Sequence, residues 1–397
     1  MEFTIHHQVL GLIFLIAVVM GAVANKTSFC TMGAVSDWVN MGDTGRLRAW
    51  LFAMAVALLG VLVLEGNGIS LPADSFPPYR TANFAWLRYV LGGVLFGIGM
   101  TLGSGCGNKT LLRIGGGNLK SIVVLVIASI AAYYMLWGDI KGEGFFDYFF
   151  NSWIAPTTVD LATRGIPSQE LGTVIASATG TDAAQMHFIV GGLVVAGLLA
   201  FVVKSADFRG NFDNILGGLV VGLAVIAGWY VTAGPMGAAW KEYADLATEI
   251  PSRVNVQSYT FISPMGDSVR YLLSPTNFTL INFGVMALAG VIVGSFLYSV
   301  LFGKFRIEWF ASGQDFINHV VGGVLIGIGG VLSMGCTIGQ GVTGISTLAM
   351  GSILTFFSIV FGSALTMKVQ YYLMDEQGIF GALRSALADM HLMPRKA

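Results

Sequence analysis

Apolar residues in this chain run in long blocks, and the polar residues gather between the blocks. A helix crosses the hydrocarbon core of a bilayer with about 20 mainly apolar residues. By that measure nine blocks predict crossing helices, at approximately Val9–Ala24, Ala49–Leu64, Trp86–Leu102, Ser121–Trp137, Met186–Val203, Ile215–Val231, Leu280–Phe302, Ile317–Met334 and Ser352–Leu373. The chain opens Met-Glu-Phe-Thr-Ile-His-His, without the positive segment of a cleavable signal peptide, so the first block is expected to stay as a span.

Composition turns these blocks into a fold class. Hydrophobic residues make up 55% of the 397 and charged residues 11%, with a mean hydropathy of +0.73. A soluble chain carries roughly 25% charged residues, so the surplus apolar surface here must face lipid. An all-α polytopic membrane protein follows. The 53 glycines fit closely packed transmembrane helices, where small residues let backbones approach. With 10 prolines and no G-X-Y period, collagen does not explain them. A net charge of −1 without a basic block argues against nucleic acid as a partner.

Nine spans sort the loops onto two sides. One side holds 14 Lys and Arg, including Lys26, Arg46, Lys109, Arg113, Lys120, Lys304, Arg306, Arg395 and Lys396; the other holds 7. Acidic residues lean the opposite way, 9 against 13. The basic side is expected to be cytoplasmic, which puts the N-terminus outside and the C-terminus inside. The two longest connections, 138–185 and 232–279, then fall outside, either as solvated loops or as ordered caps and short helices over a vestibule.

An internal repeat carries the functional information. Val90–Cys106 reads VLGGVLFGIGMTLGSGC and Val320–Cys336 reads VVGGVLIGIGGVLSMGC, identical at 11 of 17 positions at an offset of 230. A weaker relative, Ile215–Gly222, opens the sixth span without a cysteine. Span parity makes the two copies antiparallel. Two inverted halves are expected, 1–185 and 186–397, each with interrupted helices that frame a site near the midplane. Gly93, Gly97, Gly323 and Gly327 read as helix-packing residues. The breaks carry polar residues that packing does not explain: Gly105, Gly107, Asn108 and Lys109 around Cys106, and Gly335, Thr337, Gly339 and Gln340 around Cys336.

The three cysteines, Cys30, Cys106 and Cys336, form no CxxC, which speaks against a zinc ribbon or a membrane disulfide oxidoreductase. Each sits at a polar interruption of an apolar segment. A buried free cysteine is often only a small hydrophobe; at such breaks a neutral, polarizable thiol can also donate S–H to a soft sulfur anion. Helix N-termini at the breaks offset part of the cost of drying that anion. Glycine-rich turns at Gly115-Gly116-Gly117 and Gly339-Gln340-Gly341 are expected to add anion-holding nests. Lys109 could supply a full charge or anchor the inner border. No metal site or other cofactor is indicated, since the five histidines lie mostly at span ends, and no ATP-binding GxxxxGK[ST] motif occurs.

Ser28-Phe29-Cys30, GSGCGNKTLLRIGGGNLKS at 103–121 and SMGCTIGQGVTGISTLAMGS at 333–352 resemble the YeeE/YedE family of sulfur-compound transporters. The resemblance implies an hourglass of inverted halves that imports thiosulfate, or a related sulfur anion, through a bacterial inner membrane. It also implies that Cys30, Cys106 and Cys336 line the constriction and hand the substrate along. A small cytoplasmic sulfurtransferase of the TusA type is the implied partner. The chain departs from shorter members in its connections 138–185 and 232–279, which leaves the choice of anion open. Two other readings remain: a membrane sulfurtransferase forming a persulfide on Cys106, and a soft-metal channel.

Overall fold

The computed structural model describes residues 4–375 and 378–394. Arg395 and Lys396 of the basic set, and the first three residues of the chain, lie outside the described residues. Among the described residues, nine helices are long and apolar enough to cross a membrane. The chain begins with α1 (Ile5–Lys26), the short α2 (Thr31–Ser36) and α3 (Gly45–Gly66). It continues with α4 (Trp86–Leu102), α5 (Gly107–Gly115) and α6 (Leu119–Trp137). The first long connection holds α7 (Ser152–Ile154) and α8 (Leu171–Thr179), and α9 (Ala183–Val203) then crosses once. After α10 (Ala206–Gly210) come α11 (Phe212–Ala233), α12 (Pro235–Leu246), α13 (Ile262–Leu273) and α14 (Phe283–Leu301). Last are α15 (Gly313–Leu332), a buried π-helical segment (Thr337–Gly344), α16 (Met350–Met374) and α17 (Ile379–Asp389). All nine predicted blocks are helices, with ends that differ by about a turn. The chain is an all-α polytopic membrane protein.

Several crossing helices start where a polar side chain satisfies the first free N–H groups. Asn118, Asp182, Asn211, Asn282 and Ser312 cap α6, α9, α11, α14 and α15 in this way. Close packing between helices then rests on the glycines. A Cβ built on Gly329 of α15 would stand 2.5 Å from the Phe96 nitrogen and 2.8 Å from the Gly92 oxygen of α4. One built on Gly99 of α4 would stand 2.8 Å from the Gly322 oxygen of α15. Gly92 thus meets Gly329 while Gly99 meets Gly322, so α4 and α15 run antiparallel through equivalent positions of the repeat.

The other faces of these helices pack in register too. Gly93 and Gly97 abut Thr355 and Ser363 of α16, whereas Gly323 and Gly327 abut Val124 and Ala128 of α6, both pairs parallel. These four glycines pack helices, as the sequence predicts. Gly290 and Gly294 seat α14 along α1 in the same parallel sense, and Gly218 and Gly222 seat α11 along α3. The interrupted helices α1, α4 and α15 therefore lie on α14, α16 and α6, and α11 lies on α3. Every pairwise direction agrees with nine alternating crossings.

The long connections are ordered. In 138–185, Val159–Asp160 pairs with Asn83–Phe84, and Gln169 and Glu170 are buried. In 232–279, Tyr259, Phe261, Ile262 and Met265 reach the core and are at most 1% exposed. The reading as solvated loop fails for that stretch, because its aromatic and aliphatic side chains fill the space between the broken helices.

Candidate functional site

The three cysteines occupy the same local structure. Each follows a crossing helix that ends on a left-handed residue: Ser28 at φ 51°, Ser104 at φ 58° and Met334 at φ 58°. The residue after it donates back to the helix in each case. Phe29 N–H meets Ala24 C=O at 3.0 Å, Gly105 meets Met100 at 2.8 Å, and Gly335 meets Gly330 at 2.8 Å. This is the Schellman closure of a helix C-terminus. Next comes the cysteine, which is the N-cap of the following segment: Cys30 for α2, Cys106 for α5 and Cys336 for the π-helix. The sequence flagged Cys106 and Cys336 as equivalent; the backbone adds Cys30 as a third instance.

All three are free thiols and buried, Cys30 at 3% exposure and the other two at 0%. The Cys30 sulfur accepts from the Gly33 N–H and the Cys336 sulfur from the Gly339 N–H, both at 3.4 Å. The amides of Ile338 and Phe261 also face the Cys336 sulfur. Cys106 has no capping bond of that quality, although the Lys109 amide faces its sulfur. The thiols form one neighbourhood, since Cys30 and Cys336 both lie within electrostatic range of Cys106. A Cβ on Gly107 would stand 3.8 Å from the Cys336 Cβ and 3.4 Å from Met265 Cε. Gly107 thus lies in van der Waals range of the Cys336 side of the molecule, next to Cys106.

Around the sulfurs lie buried polar atoms without well-formed hydrogen bonds. They include Asn108 Oδ1, Thr337 Oγ1, Gln340 Oε1, Thr31 Oγ1 and Thr260 Oγ1. Thr337 faces the Cys106 sulfur and Thr260 the Cys336 sulfur. Such atoms cost about 1–3 kcal/mol each when left unmatched. Their concentration at the helix breaks marks a place built to meet a polar guest. Gly339 and Gln340 also hold the π-helix in shape. The Gly339 C=O accepts from Tyr79 Oη at 2.6 Å, and Gln340 Nε2 donates to Ser333 C=O at 2.6 Å. Gly335 gives Gln340 room, as Gly105 does for Lys109: a Cβ there would stand 3.2 Å and 3.0 Å from their Cγ atoms.

The expected nests are not formed. At 115–117 the N–H groups of Gly116 and Gly117 return to Leu112 and Ile114, and Gly115 is pressed against α14. This turn is a packed helix end. Gly339-Gln340-Gly341 lies within the π-helix, where the Gly339 amide meets the Cys336 sulfur and the Gln340 amide returns to the Cys336 carbonyl at 2.7 Å. Lys109 is half-buried and lines a cavity beyond the breaks with Asn25, Arg113 and Arg306.

Thr260, Phe261 and Trp50 belong to the neighbourhood but were not singled out in the sequence; Trp50 stacks on Phe29 of the first motif, with ring centroids 4.5 Å apart. The indole Nε1 of Trp50 is buried and unpartnered, as are Ser352 Oγ and Thr355 Oγ1 of α16. The one available signal for Thr260 was its place in an aromatic run, Tyr259-Thr260-Phe261. Among the described residues no group of three or more His, Cys, Asp or Glu side chains is placed to hold a metal ion.

The sequence has relatives among known proteins. The sequence matches the sulphur transport family over residues 26–365, which includes all three cysteine breaks. It is 24% identical over 356 residues to the thiosulfate transporter TsuA of Spirochaeta thermophila, covering 88% of this chain and 95% of that protein. To the thiosulfate transporter TsuA of Escherichia coli K12 it is 23% identical over 343 residues, covering 81% and 84%. The probable transporter YedE of Salmonella typhimurium is 28% identical over 139 residues, 34% of this chain and 32% of that one. With the family matched across most of its length, the chain belongs to the YeeE/YedE sulphur-transport family of multi-pass membrane proteins.

Proposed function

We propose that this protein imports thiosulfate, or a closely related sulfur anion, through a central pathway lined by Cys30, Cys106 and Cys336. The observation that carries this reading is the threefold recurrence of one device, a closed helix end followed by a buried cysteine that starts the next segment. Each such start aims amide N–H groups and the positive end of a helix dipole at the sulfur and its guest. A dianion needs that compensation, because losing its water costs several kcal/mol. The thiols supply what hard donors lack, a polarizable S–H that can follow a sulfur atom from one station to the next. Gly105, Gly107, Asn108, Gly335, Thr337, Gly339 and Gln340 form the walls, and Lys109 stands at the exit.

The two halves, 1–185 and 186–397, are inverted repeats in this reading, and the membrane is a bacterial inner membrane. The N-terminus lies outside and the C-terminus in the cytoplasm. The protein acts as a transporter rather than an enzyme. A small TusA-type sulfurtransferase receives the anion at the inner face, and its consumption there draws uptake forward.

Cys336→Ser separates the two roles of the residue, since a hydroxyl caps a helix at least as well as a thiol but is a harder partner for sulfur. Proteoliposome uptake of thiosulfate should be lost in Cys106→Ala, Cys336→Ala and Cys336→Ser alike, with a milder loss in Cys30→Ala. Undiminished uptake by both alanine variants would sink the relay. Comparing thiosulfate with sulfite, sulfide and selenium analogues identifies the anion.

A further inference from the structure

Where α1, α5 and α14 end, a cavity of about 340 Å³ opens on the side that the charge pattern assigns to the cytoplasm. Four cations line it, Lys109, Arg113, Lys304 and Arg306, against the single carboxylate of Glu308. That carboxylate is engaged: Asn118 Nδ2 donates to it, and Arg113 lies 3.9 Å away. Among the described residues Lys109, Lys304 and Arg306 have no carboxylate within 4.0 Å.

This excess of positive charge is fixed by the fold. The segment bearing Lys304, Arg306 and Glu308 is tied to the turn after α5 by Arg306 N–H to Gly116 C=O at 2.9 Å and Leu119 N–H to Glu308 C=O at 3.0 Å. Arg113 is held by the Ser104 carbonyl at 2.7 Å. The opposite wall is set by Asn25, which donates to the Ser295 and Ser299 hydroxyls at 2.9 and 2.8 Å. Like charges gathered in one recess repel, and a low-dielectric wall strengthens that repulsion. An anion in the recess turns the penalty into attraction, and guanidinium groups match the oxygens of a tetrahedral oxyanion.

We infer that this cavity is a second anion site, in series with the cysteines, for a small divalent oxyanion. It rests on the proposed pathway only for its place in the sequence of events. Lys109 connects the two, since it stands one turn from Cys106 on α5. The sites differ in chemistry. The central one offers thiols and helix ends and selects for sulfur; the outlying one offers an excess of cations and no thiol, and reads charge. Sulfate and thiosulfate therefore compete at the second site but not at the first, and cytoplasmic sulfate opposes release of the imported anion.

The test is equilibrium binding of labelled thiosulfate to the purified full chain in detergent, with and without excess sulfate. The wild type should show a component displaced by sulfate and by added salt, and one that resists both. Lys304→Ala/Arg306→Ala, at exposed positions, should weaken the displaceable component by roughly tenfold or more and spare the resistant one. Cys106→Ala/Cys336→Ala should do the reverse. If the cysteine variant loses nothing while the cation variant loses its component, the pathway reading fails and this site stands. A displaceable component that survives in the cation variant overturns the inference. So does its absence from the wild type, which would make the cations a docking face for an acidic protein.

Discussion

Glu170 shows how one residue ties the connection 138–185 to the body of the protein. It is 3% exposed and caps α8, accepting the N–H groups of Gly172 and Thr173, both at 2.7 Å, and the Thr173 hydroxyl at 2.8 Å. His187 Nδ1 of α9 lies 3.2 Å away. Burial opposes the charge on this carboxyl, but the bonds from His187, Gly172 and Thr173 outweigh it and hold the group below the usual carboxylate range. A carboxylate that ionises more readily in the folded state contributes stability that is fully present above its unfolded value. That contribution is lost as pH falls through the lower, folded value. The wild type should therefore lose thermal stability as pH drops below about 4.3. Glu170→Gln should be less stable than wild type at neutral pH, by ~1 kcal/mol for a weakened cap, and the difference should shrink in acid. Parallel melting curves for the two proteins across that range would refute the assignment. The sequence counted Glu170 only as one acid in an outer connection, because nothing local reveals that α9 brings a histidine to it.

At the scale of helices, the contact between α4 and α15 rests on absent side chains. Gly329 and Gly92 approach so closely that a methyl group at 329 would meet backbone atoms of α4, which cannot step aside as a flexible side chain can. Gly329→Ala should cost about 1–3 kcal/mol by overpacking. Gly192 of α9 is the control, as its Cβ would meet nothing within 4 Å. There alanine should be neutral, or stabilising by up to ~1 kcal/mol through helix propensity. Equal melting temperatures for the two variants would show that the glycine contact does not hold α4 against α15. The repeat made the packing role of Gly93, Gly97, Gly323 and Gly327 legible but not their partners, and the α4–α15 contact through Gly92, Gly99, Gly322 and Gly329 emerges only in the assembled fold. The nine spans were legible for a simpler reason, since lipid demands the same apolar composition whatever the helices touch. Thr260 and Phe261 were not legible. They sit in a connection of ordinary polarity, and only the assembled helices decide that this stretch turns inward. Cys30 was half legible: its polar surroundings stood out, but Ser28-Phe29 lacks the glycine that marks the other two breaks.

For the whole molecule, α9 settles the relation between the parts. It is the least buried of the nine crossings, with 17% of its most apolar window inside the protein, so it adds little to the core. Its effect is parity. With one crossing between α6 and α11, α1 and α4 run one way while α11 and α15 run the other. Cys106 and Cys336 are thereby approached from opposite faces, and the helix starts they cap converge between the faces. In the proposed orientation the cytoplasmic face is the one whose loops hold 14 basic residues against 7 on the other. The cation-lined cavity belongs to that basic side, its four cations being among the 14. Reporter insertions test this directly. Alkaline phosphatase, which needs an extracytoplasmic setting, should be active when inserted at Gly142 and inactive at Gly210, two glycines with open space around them. A fluorescent protein that matures only in the cytoplasm should give the opposite pattern. If both patterns are reversed, the anion would meet the cationic cavity first and the cysteines afterwards, and the protein would be built for export.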